Sequence, residues 1–79
     1  MEINVAKCDI EIKRHAFLQA LKRGIHPDFV EATIKGGKIK RFGKNYVKFI
    51  KSYKKFDVIC VGQFMADNIK IITIERRGK

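Results

Sequence analysis

The placement of glycine and proline constrains the fold of this chain most strongly, because these residues mark where two helices begin and end. Apolar residues recur at helical spacing before Gly24, and they predict a helix over residues 14–23 that this glycine ends. Pro27 suits the first position of a second helix, since its missing N–H would have no partner there. Gly36 and Gly37 end that second helix.

The second half of the chain predicts strands. Residues 57–64 and 69–74 are rich in β-branched side chains, and the turn residues 66–68 between them indicate an antiparallel hairpin. Residues 38–42 predict a shorter strand before this hairpin. Two short alternating runs before the first helix also predict extended chain, namely Ile3 with Val5 and Ile10 with Ile12.

Residues 46–53 fit two structures. Aromatic rings at spacings of four and three favour an amphipathic helix, and they are Phe42, Tyr46, Phe49, Tyr53 and Phe56. Tyr, Val, Phe and Ile are equally typical of a strand. Local pattern alone leans slightly towards the helix.

Positive charge is concentrated in one segment. Residues 32–56 hold no acidic residue, five of the eight aromatic rings and nine basic residues: Lys35, Lys38, Lys40, Arg41, Lys44, Lys48, Lys51, Lys54 and Lys55. Unbroken like charge repels itself, so such a segment is typical of a surface for polyanions, of which nucleic acid is the commonest. A proteome rich in lysine would also give a basic chain, but it would make residues 1–35 basic as well. In those residues acidic and basic side chains nearly balance.

Length and composition narrow the class of protein. The 79 residues are expected to form a single compact domain over 1–79. No apolar stretch approaches the ~20 residues that span a bilayer, and no segment resembles a signal peptide, so we expect a cytoplasmic protein with no membrane partner. Cys8, Cys60, His15 and His26 lack the short spacings of small zinc sites. We therefore expect no metal and no cofactor.

Several short motifs resemble a small family of unknown function. In chain order they are His15-Ala16, Arg23-Gly24-Ile25, Val30 in the second helix, Gly36-Gly37 and Ile71-Ile72-Thr73-Ile74, within residues 9–76. This family is in turn similar to compact ribonuclease toxins of the BrnT and RelE kind. The resemblance implies a RelE/BrnT-like α+β fold, with two N-terminal helices packed on an antiparallel β-sheet of three to four strands. It also tips residues 46–53 towards a strand.

Two residues depart from the pattern of that family. Arg14 stands where the family places Ser or Thr as an N-cap, and His26 stands where it often places Ser. Both helices are therefore expected to begin with weaker caps, at a cost of ~1 kcal/mol each unless another group compensates.

The resemblance implies an RNA target and, if the chain is an enzyme, metal-independent endoribonuclease chemistry. Cleavage through the 2′-hydroxyl needs a base, an acid for the leaving oxygen and cations on the phosphorane. His15 is the candidate base, Arg23 and Arg76 are the candidate cations, and Tyr46 or a lysine is the candidate proton donor. The alternative is that His15 only caps its helix, which is the commoner role of a histidine at such a position.

Glu75 is a second candidate base. It lies beside Arg76 and Arg77 near the end of the last predicted strand. An ion pair at the strand end is the more ordinary role for a carboxylate there, and an exposed pair of that kind contributes little stability.

Nucleic-acid binding needs no catalysis. The cations assigned to phosphate contact are Lys38, Lys40, Arg41, Lys44, Lys48, Lys51, Lys54, Lys55 and Arg77. Six of them, at strand ends and turns, are predicted to form one rim: Lys38, Lys40, Arg41, Lys44, Lys54 and Lys55. If residues 46–53 form a strand, Lys48 shares a face with Tyr46 and Ile50, while Lys51 points the other way. An exposed ring of Phe42, Tyr46 or Tyr53 would stack on an unpaired base.

Three functions follow from these observations. The leading hypothesis is a small RNA-directed protein similar to the toxin-type ribonucleases, with an acidic antitoxin as the partner that covers its basic rim. The second is a module that binds RNA or DNA without cutting it. The third is an interaction protein whose basic face meets an acidic protein.

Overall fold

The computed structural model describes residues 9–65 and 68–78, and in this part of the chain two helices pack against one sheet. The elements are β1 (Asp9–Ile12), α1 (Arg14–Lys22), α2 (Pro27–Gly36), β2 (Lys38–Phe42), β3 (Tyr46–Ser52), β4 (Phe56–Met65) and β5 (Asn68–Gly78). The expectations for Ile3, Val5, Cys8 and the turn residues 66–67 lie outside the described residues.

The five strands lie in the order β1-β5-β4-β3-β2. Strands β2 to β5 pair antiparallel with their neighbours in sequence, whereas β1 pairs in parallel with the start of β5. The predicted architecture, two N-terminal helices on an antiparallel sheet of three to four strands, is therefore wrong. The sheet is mixed, and a strand precedes the helices. A strand of four residues carries little pattern, and its partner lies at the far end of the chain, so the sequence does not indicate this pairing.

Helix α1 begins and ends close to its predicted limits. Its N-cap is Lys13 rather than the expected Arg14, which is the first helical residue, and Lys13 makes no side-chain cap hydrogen bond. Ala16 and Ala20 bury one side of the helix against the sheet. Gly24 follows with a φ of 74°, a left-handed conformation that favours glycine and lets the chain turn sharply into α2.

Helix α2 has a better start than expected. His26 is its N-cap, and its Nδ1 accepts a hydrogen bond of 3.1 Å from the backbone N–H of Asp28. His26 thus caps this helix, and the expectation of a weaker cap here is wrong. Pro27 occupies the first turn, and Val30, Thr33 and Ile34 are buried.

Residues 46–52 form β3, so the strand interpretation is confirmed and the helical one is wrong. Side chains alternate along the strand, with Val47 and Phe49 fully buried and Lys48 and Ile50 half-buried. An alternation of two residues accounts for this burial pattern. The spacing of four and three residues between the aromatic rings, which would suit a helix, does not account for it.

One face of the sheet, the helix-covered face, forms the core with the two helices. Its buried strand residues are Val47, Phe49, Val58, Cys60, Ile69, Ile71 and Ile74. Burial raises the pKa of the Cys60 thiol to about 12, because a thiolate has no compensating charge in this apolar layer. Cys60 is a free thiol within this layer.

The opposite face is named the open face, because both described helices pack on the other side. The pairing of the strands and the alternation of side chains along each strand show which residues lie on this face. They are Lys38, Lys40, Phe42, Tyr46, Lys48, Ile50, Asp57, Ile59, Val61, Gln63, Lys70, Thr73, Glu75 and Arg77. Its central aliphatic residues are half-buried rather than buried. Charged and aromatic side chains are thus mixed with aliphatic ones on this face.

A β-bulge decides which side chains of β5 reach the open face. The register of β4 and β5 shifts between Val61, which pairs with Thr73, and Gly62, which pairs with Ile71. The extra residue is Ile72, and beyond it the alternation is inverted. Ile74 therefore joins Ile71 in the core, and Glu75 and Arg77 point to the open face.

Candidate nucleic-acid interface

An open cleft of about 550 Å³ lies on the open face and the adjoining edge of β5. It is lined by Arg23, Lys48, Ile50, Ile59, Val61, Glu75, Arg76 and Arg77. Three aliphatic residues thus accompany four cations and one carboxylate. The volume is in the range of about 300–1,000 Å³ that is usual for small-molecule sites, which is large enough for a nucleotide.

Arg23 reaches the cleft from the end of α1. Its Nη1 donates a hydrogen bond of 2.6 Å to the backbone oxygen of Ile74. Strand β1 pairs with β5 only as far as Ile71, so the edge of β5 beyond this point is available to the guanidinium. The bond fixes Arg23 one residue from Glu75, and its other N–H groups remain able to bind an anion.

Arg76 and Arg77 enter the cleft from opposite sides of β5. The guanidinium carbon of Arg76 lies 4.6 Å from the ring centre of Phe56, on the side of the helices. A Cβ placed on Gly24 would lie 3.6 Å from its Nη1, so this cation sits close to the turn that follows Arg23. Arg77 pairs in register with Asp57 on the open face.

Glu75 lies on the open face opposite Ile59. The expected strand-end ion pair of Glu75 is not formed with any residue that the structure describes. An ion pair is found there between Lys35 and Glu31, and the hydrogen bond and the charge of Lys35 lower the pKa of Glu31. Because neighbouring side chains of a strand point to opposite faces, Arg76 is directed away from Glu75.

An exposed pair of aromatic rings lies on the open face beside the β2–β3 turn. Phe42 and Tyr46 are directly opposite each other, and their rings stack with centres 5.3 Å apart at 22°. They are 39% and 36% exposed, respectively. The Nζ of Lys48 lies 5.0 Å from the ring centre of Phe42, and Lys48 also lines the cleft, so this side chain joins the rings to the cleft.

The other predicted phosphate-binding cations are spread over both faces and both ends of the sheet. Lys38 and Lys40 are on the open face, whereas the Arg41 guanidinium covers the Phe64 ring and Lys51 approaches Tyr53 on the helix-covered face. Lys44 follows β2, and Lys54 and Lys55 follow β3, at its opposite end. The single predicted rim of six cations is therefore not formed.

The four predicted catalytic residues do not converge. Arg23 and Arg76 meet in the cleft, but His15 and Tyr46 are not among the residues that line it. His15 is exposed in the first turn of α1, where its Nε2 hydrogen-bonds Gln19 Nε2 at 2.9 Å. Eight residues separate it from Arg23 in sequence, which corresponds to about 12 Å along a helix axis. The side chain of Tyr46 belongs to the ring pair.

The sequence indicates Glu75 as a candidate base or, more ordinarily, as an ion-pair residue, but it does not indicate Ile50, Ile59 or Val61 as site residues. Their alternation with core residues is visible in the sequence, but the position of the bulge is not. Among residues 9–65 and 68–78, no three His, Cys, Asp or Glu side chains form a group that could hold a metal ion. No helix in the same ranges is long and apolar enough to cross a membrane.

Comparisons of this chain with the models of known protein families, with curated proteins and with solved structures found no match. The resemblance to ribonuclease toxins therefore stays a prediction from short motifs.

Proposed function

We propose that this protein binds single-stranded RNA across the open face of its sheet. The observation that carries the proposal is the continuity of the ring pair Phe42–Tyr46 with the cationic cleft through Lys48, which touches both. Unpaired bases stack on the rings, and the backbone that follows them places a phosphate in the cleft.

The cleft suits a phosphodiester. Arginine presents several N–H donors in a planar fork that matches phosphate oxygens, and three of the four cations that line the cleft are arginines. Contacts of this type fix the position of a nucleic acid without reading its sequence. The site is therefore expected to bind RNA with little preference among sequences.

The ring pair suits unpaired bases better than a duplex. Stacking of a base on an exposed aromatic ring contributes about 1–3 kcal/mol, and it requires a base that has left its helix. Phe42 and Tyr46 stack on each other, and Phe42 also carries the Lys48 ammonium, so among the described residues Tyr46 is the ring of the pair with no cation over it. The half-buried Ile50, Ile59 and Val61, which line the cleft, add apolar surface for the sugar and base.

The experiment is a titration of a short single-stranded RNA at several salt concentrations. Contact with about four phosphates gives a slope of about −3 for log affinity against log salt. The double variant Lys40→Glu/Lys48→Glu removes two open-face cations and is expected to reduce the slope by about 1.4. Its matched control is Lys13→Glu/Arg14→Glu, which changes the net charge equally at the exposed start of α1 and is expected to bind like the wild type.

Other partners give different results in the same assay. A duplex of the same sequence is expected to bind more weakly than the single strand, and polyglutamate, which has charge but no bases, more weakly still. If polyglutamate binds as tightly as RNA, the open face is a surface for acidic proteins and the proposal is wrong. If single-stranded DNA binds more tightly than RNA, the choice of nucleic acid is wrong.

Cleavage of the bound RNA is a second candidate function. It is favoured by the meeting of Arg23 and Arg76 in the cleft, because two cations beside one phosphate stabilise the charge of a phosphorane. His15 lies outside the cleft, so a base at this site has to come from another residue.

A further inference from the structure

The outer side of α1 is apolar and exposed. Phe17, Leu18 and Leu21 are 37%, 46% and 48% exposed, respectively, and together they are named the apolar stripe. Their spacing puts them on one side of the helix, away from the two alanines that pack on the sheet. Ile12 in β1, just before the helix, is 37% exposed as well. An exposed apolar cluster of this kind is typical of a surface that binds a partner.

Strand β1 is an edge of the sheet, and in the described part of the chain only β5 pairs with it. The N–H of Lys13 donates a hydrogen bond of 3.1 Å to the oxygen of Ile71, so the backbone groups of Lys13 and Glu11 face β5. Because these groups alternate along a strand, the N–H and C=O of Ile10 and Ile12 point to the free edge. Such groups can pair with another strand.

The charges of this region allow a second copy of the chain to approach it. Two copies with a net charge of +10 each repel one another. Residues 1–35 hold six basic and five acidic residues, however, so β1 and α1 belong to the nearly neutral part of the chain. At the other edge of the sheet, β2 carries Lys38, Lys40 and Arg41, and a second copy of that strand would oppose them with like charge. Of the two edges, β1 is therefore the one that suits self-pairing.

We propose that the β1 edge and the apolar stripe bind a second copy of this chain, with the two β1 strands antiparallel about a two-fold axis. The axis is perpendicular to the sheet, so that the helices of both copies lie on one side and the two sheets join into one of ten strands. Each copy keeps its own open face, so the dimer does not depend on RNA binding.

Charge selects the register of this pairing. Opposite residues of antiparallel strands point to the same face, so this axis allows only registers that pair even-numbered with even-numbered residues. A register centred on Glu11 would put this carboxylate against its own copy, and one centred on Ile10 would put Asp9 against Glu11. A register centred on Ile12 puts each Glu11 opposite Lys13 of the other copy, so opposite charges meet twice.

The same register uses the backbone groups at the free edge. The N–H of each Ile12 donates to the oxygen of Ile12 in the other copy, which gives two hydrogen bonds across the axis. Arg14 is the first residue of α1, so its N–H has no acceptor within the helix. In this register it lies opposite the oxygen of Ile10.

The apolar stripe fills the space between the two helices. Helix α1 packs on β5, and three strand spacings, or about 14 Å, separate the two β5 strands of the dimer. Helices in direct contact lie about 8–10 Å apart, so small side chains would leave a gap there. Phe17, Leu18 and Leu21 are large enough to close it, and burying them together with Ile12 stabilises the dimer.

The first test measures the mass of the protein in solution by analytical ultracentrifugation over a concentration series. The wild type is expected to form a dimer. Leu18→Glu puts a charge into the apolar stripe, and we expect a monomer with an unchanged circular dichroism spectrum, because Leu18 is exposed in the single chain. The matched control is Ile39→Glu at the β2 edge, where the side chain is 38% exposed, and this variant is expected to stay dimeric.

A monomeric wild type would overturn the proposal, and the apolar stripe would then belong to a contact with a different protein. A dimer that persists in Leu18→Glu, or one that is lost equally in Ile39→Glu, would also overturn it.

A charge exchange tests the register. Glu11→Lys and Lys13→Glu each oppose like charges at two symmetric places, and each is expected to weaken the dimer about 10-fold. The double variant Glu11→Lys/Lys13→Glu restores opposite charges and is expected to dimerise like the wild type. Glu31→Lys, on α2, changes the net charge as Glu11→Lys does and is expected to leave the dimer unchanged. Losses that add up in the double variant would overturn the pairing of Glu11 with Lys13.

A cross-link locates the axis. Hydrogen-bonded opposite residues have Cα atoms about 5.5 Å apart, which is within the range of a disulfide. In a Cys8→Ser background, Ile12→Cys is expected to form a linked dimer under a mild oxidant. Ile10→Cys is expected to stay unlinked on a non-reducing gel, because its copy lies about 13 Å further along the strand. No cross-link in Ile12→Cys, or equal cross-linking of both variants, would overturn the proposed pairing.

Discussion

The two faces of the sheet are built from the same strands and differ in almost every physical property. On the helix-covered face, Val47, Phe49, Cys60, Ile71 and Ile74 have no exposed surface. On the open face, the side chains that alternate with them are lysines, arginines, rings and half-buried aliphatics. Within residues 9–65 and 68–78, both helices pack on the same face of the sheet, so no helix of these ranges covers the other face.

This difference separates stability from function. Charge on the helix-covered face would be desolvated without compensation, so that face is restricted to apolar residues. The open face keeps contact with water and can hold cations, a carboxylate and exposed rings at little cost to the core. We therefore expect substitutions on the two faces to affect different measurements.

The largest effect is expected from a matched pair of isoleucines. Ile71→Ala, on the helix-covered face, removes a fully buried side chain and is expected to lower the free energy of unfolding by about 2–5 kcal/mol. Ile59→Ala, on the open face, removes a half-buried one, and we expect a loss of less than about 2 kcal/mol because less apolar surface returns to water. Urea unfolding followed by circular dichroism measures both.

RNA binding by the same two variants is expected to show the reverse order. Ile59 lines the cleft, so Ile59→Ala weakens binding, whereas folded Ile71→Ala binds like the wild type. Equal losses of stability, or weaker binding only in Ile71→Ala, would mean that the two faces are not divided in this way.

A smaller effect is expected from substitutions in the ring pair of Phe42 and Tyr46. Tyr46→Leu removes the ring and is expected to lower affinity for single-stranded RNA by about 1–3 kcal/mol with little change for a duplex. Tyr46→Phe keeps the ring without the hydroxyl, and we expect unchanged affinity in a fluorescence titration. A loss as large as that of Tyr46→Leu would mean that the hydroxyl, and not the ring, makes the contact.

The helices and most strands could be predicted because their signals are local. Gly24 and Pro27 act through backbone geometry, which needs no tertiary information. The β4–β5 hairpin is confirmed as antiparallel for the same reason. Residues 46–52 were ambiguous because alternation and helical spacing coincide there, and only packing against α2 and β4 gives Val47 and Phe49 a buried side.

The rest of the structure depends on contacts between distant residues. The parallel pairing of β1 with β5 joins the two ends of the described chain, and no spacing in the sequence records it. The bulge at Ile72 lies within a run of β-branched residues that fits either register. Because that bulge directs Glu75 and Arg77 to the open face, the sequence indicates both residues as candidates but does not place them in one cleft with Arg23 and Lys48.

The most direct measurement of the central claim is methyl NMR of the isoleucine side chains during an RNA titration. Ile50 and Ile59 report on the open face, and Ile71 and Ile74 report on the helix-covered face. We expect the methyl signals of Ile50 and Ile59 to move as RNA binds, while those of Ile71 and Ile74 stay in place. Larger shifts at Ile71 and Ile74, with Ile50 and Ile59 unmoved by bound RNA, would contradict the account.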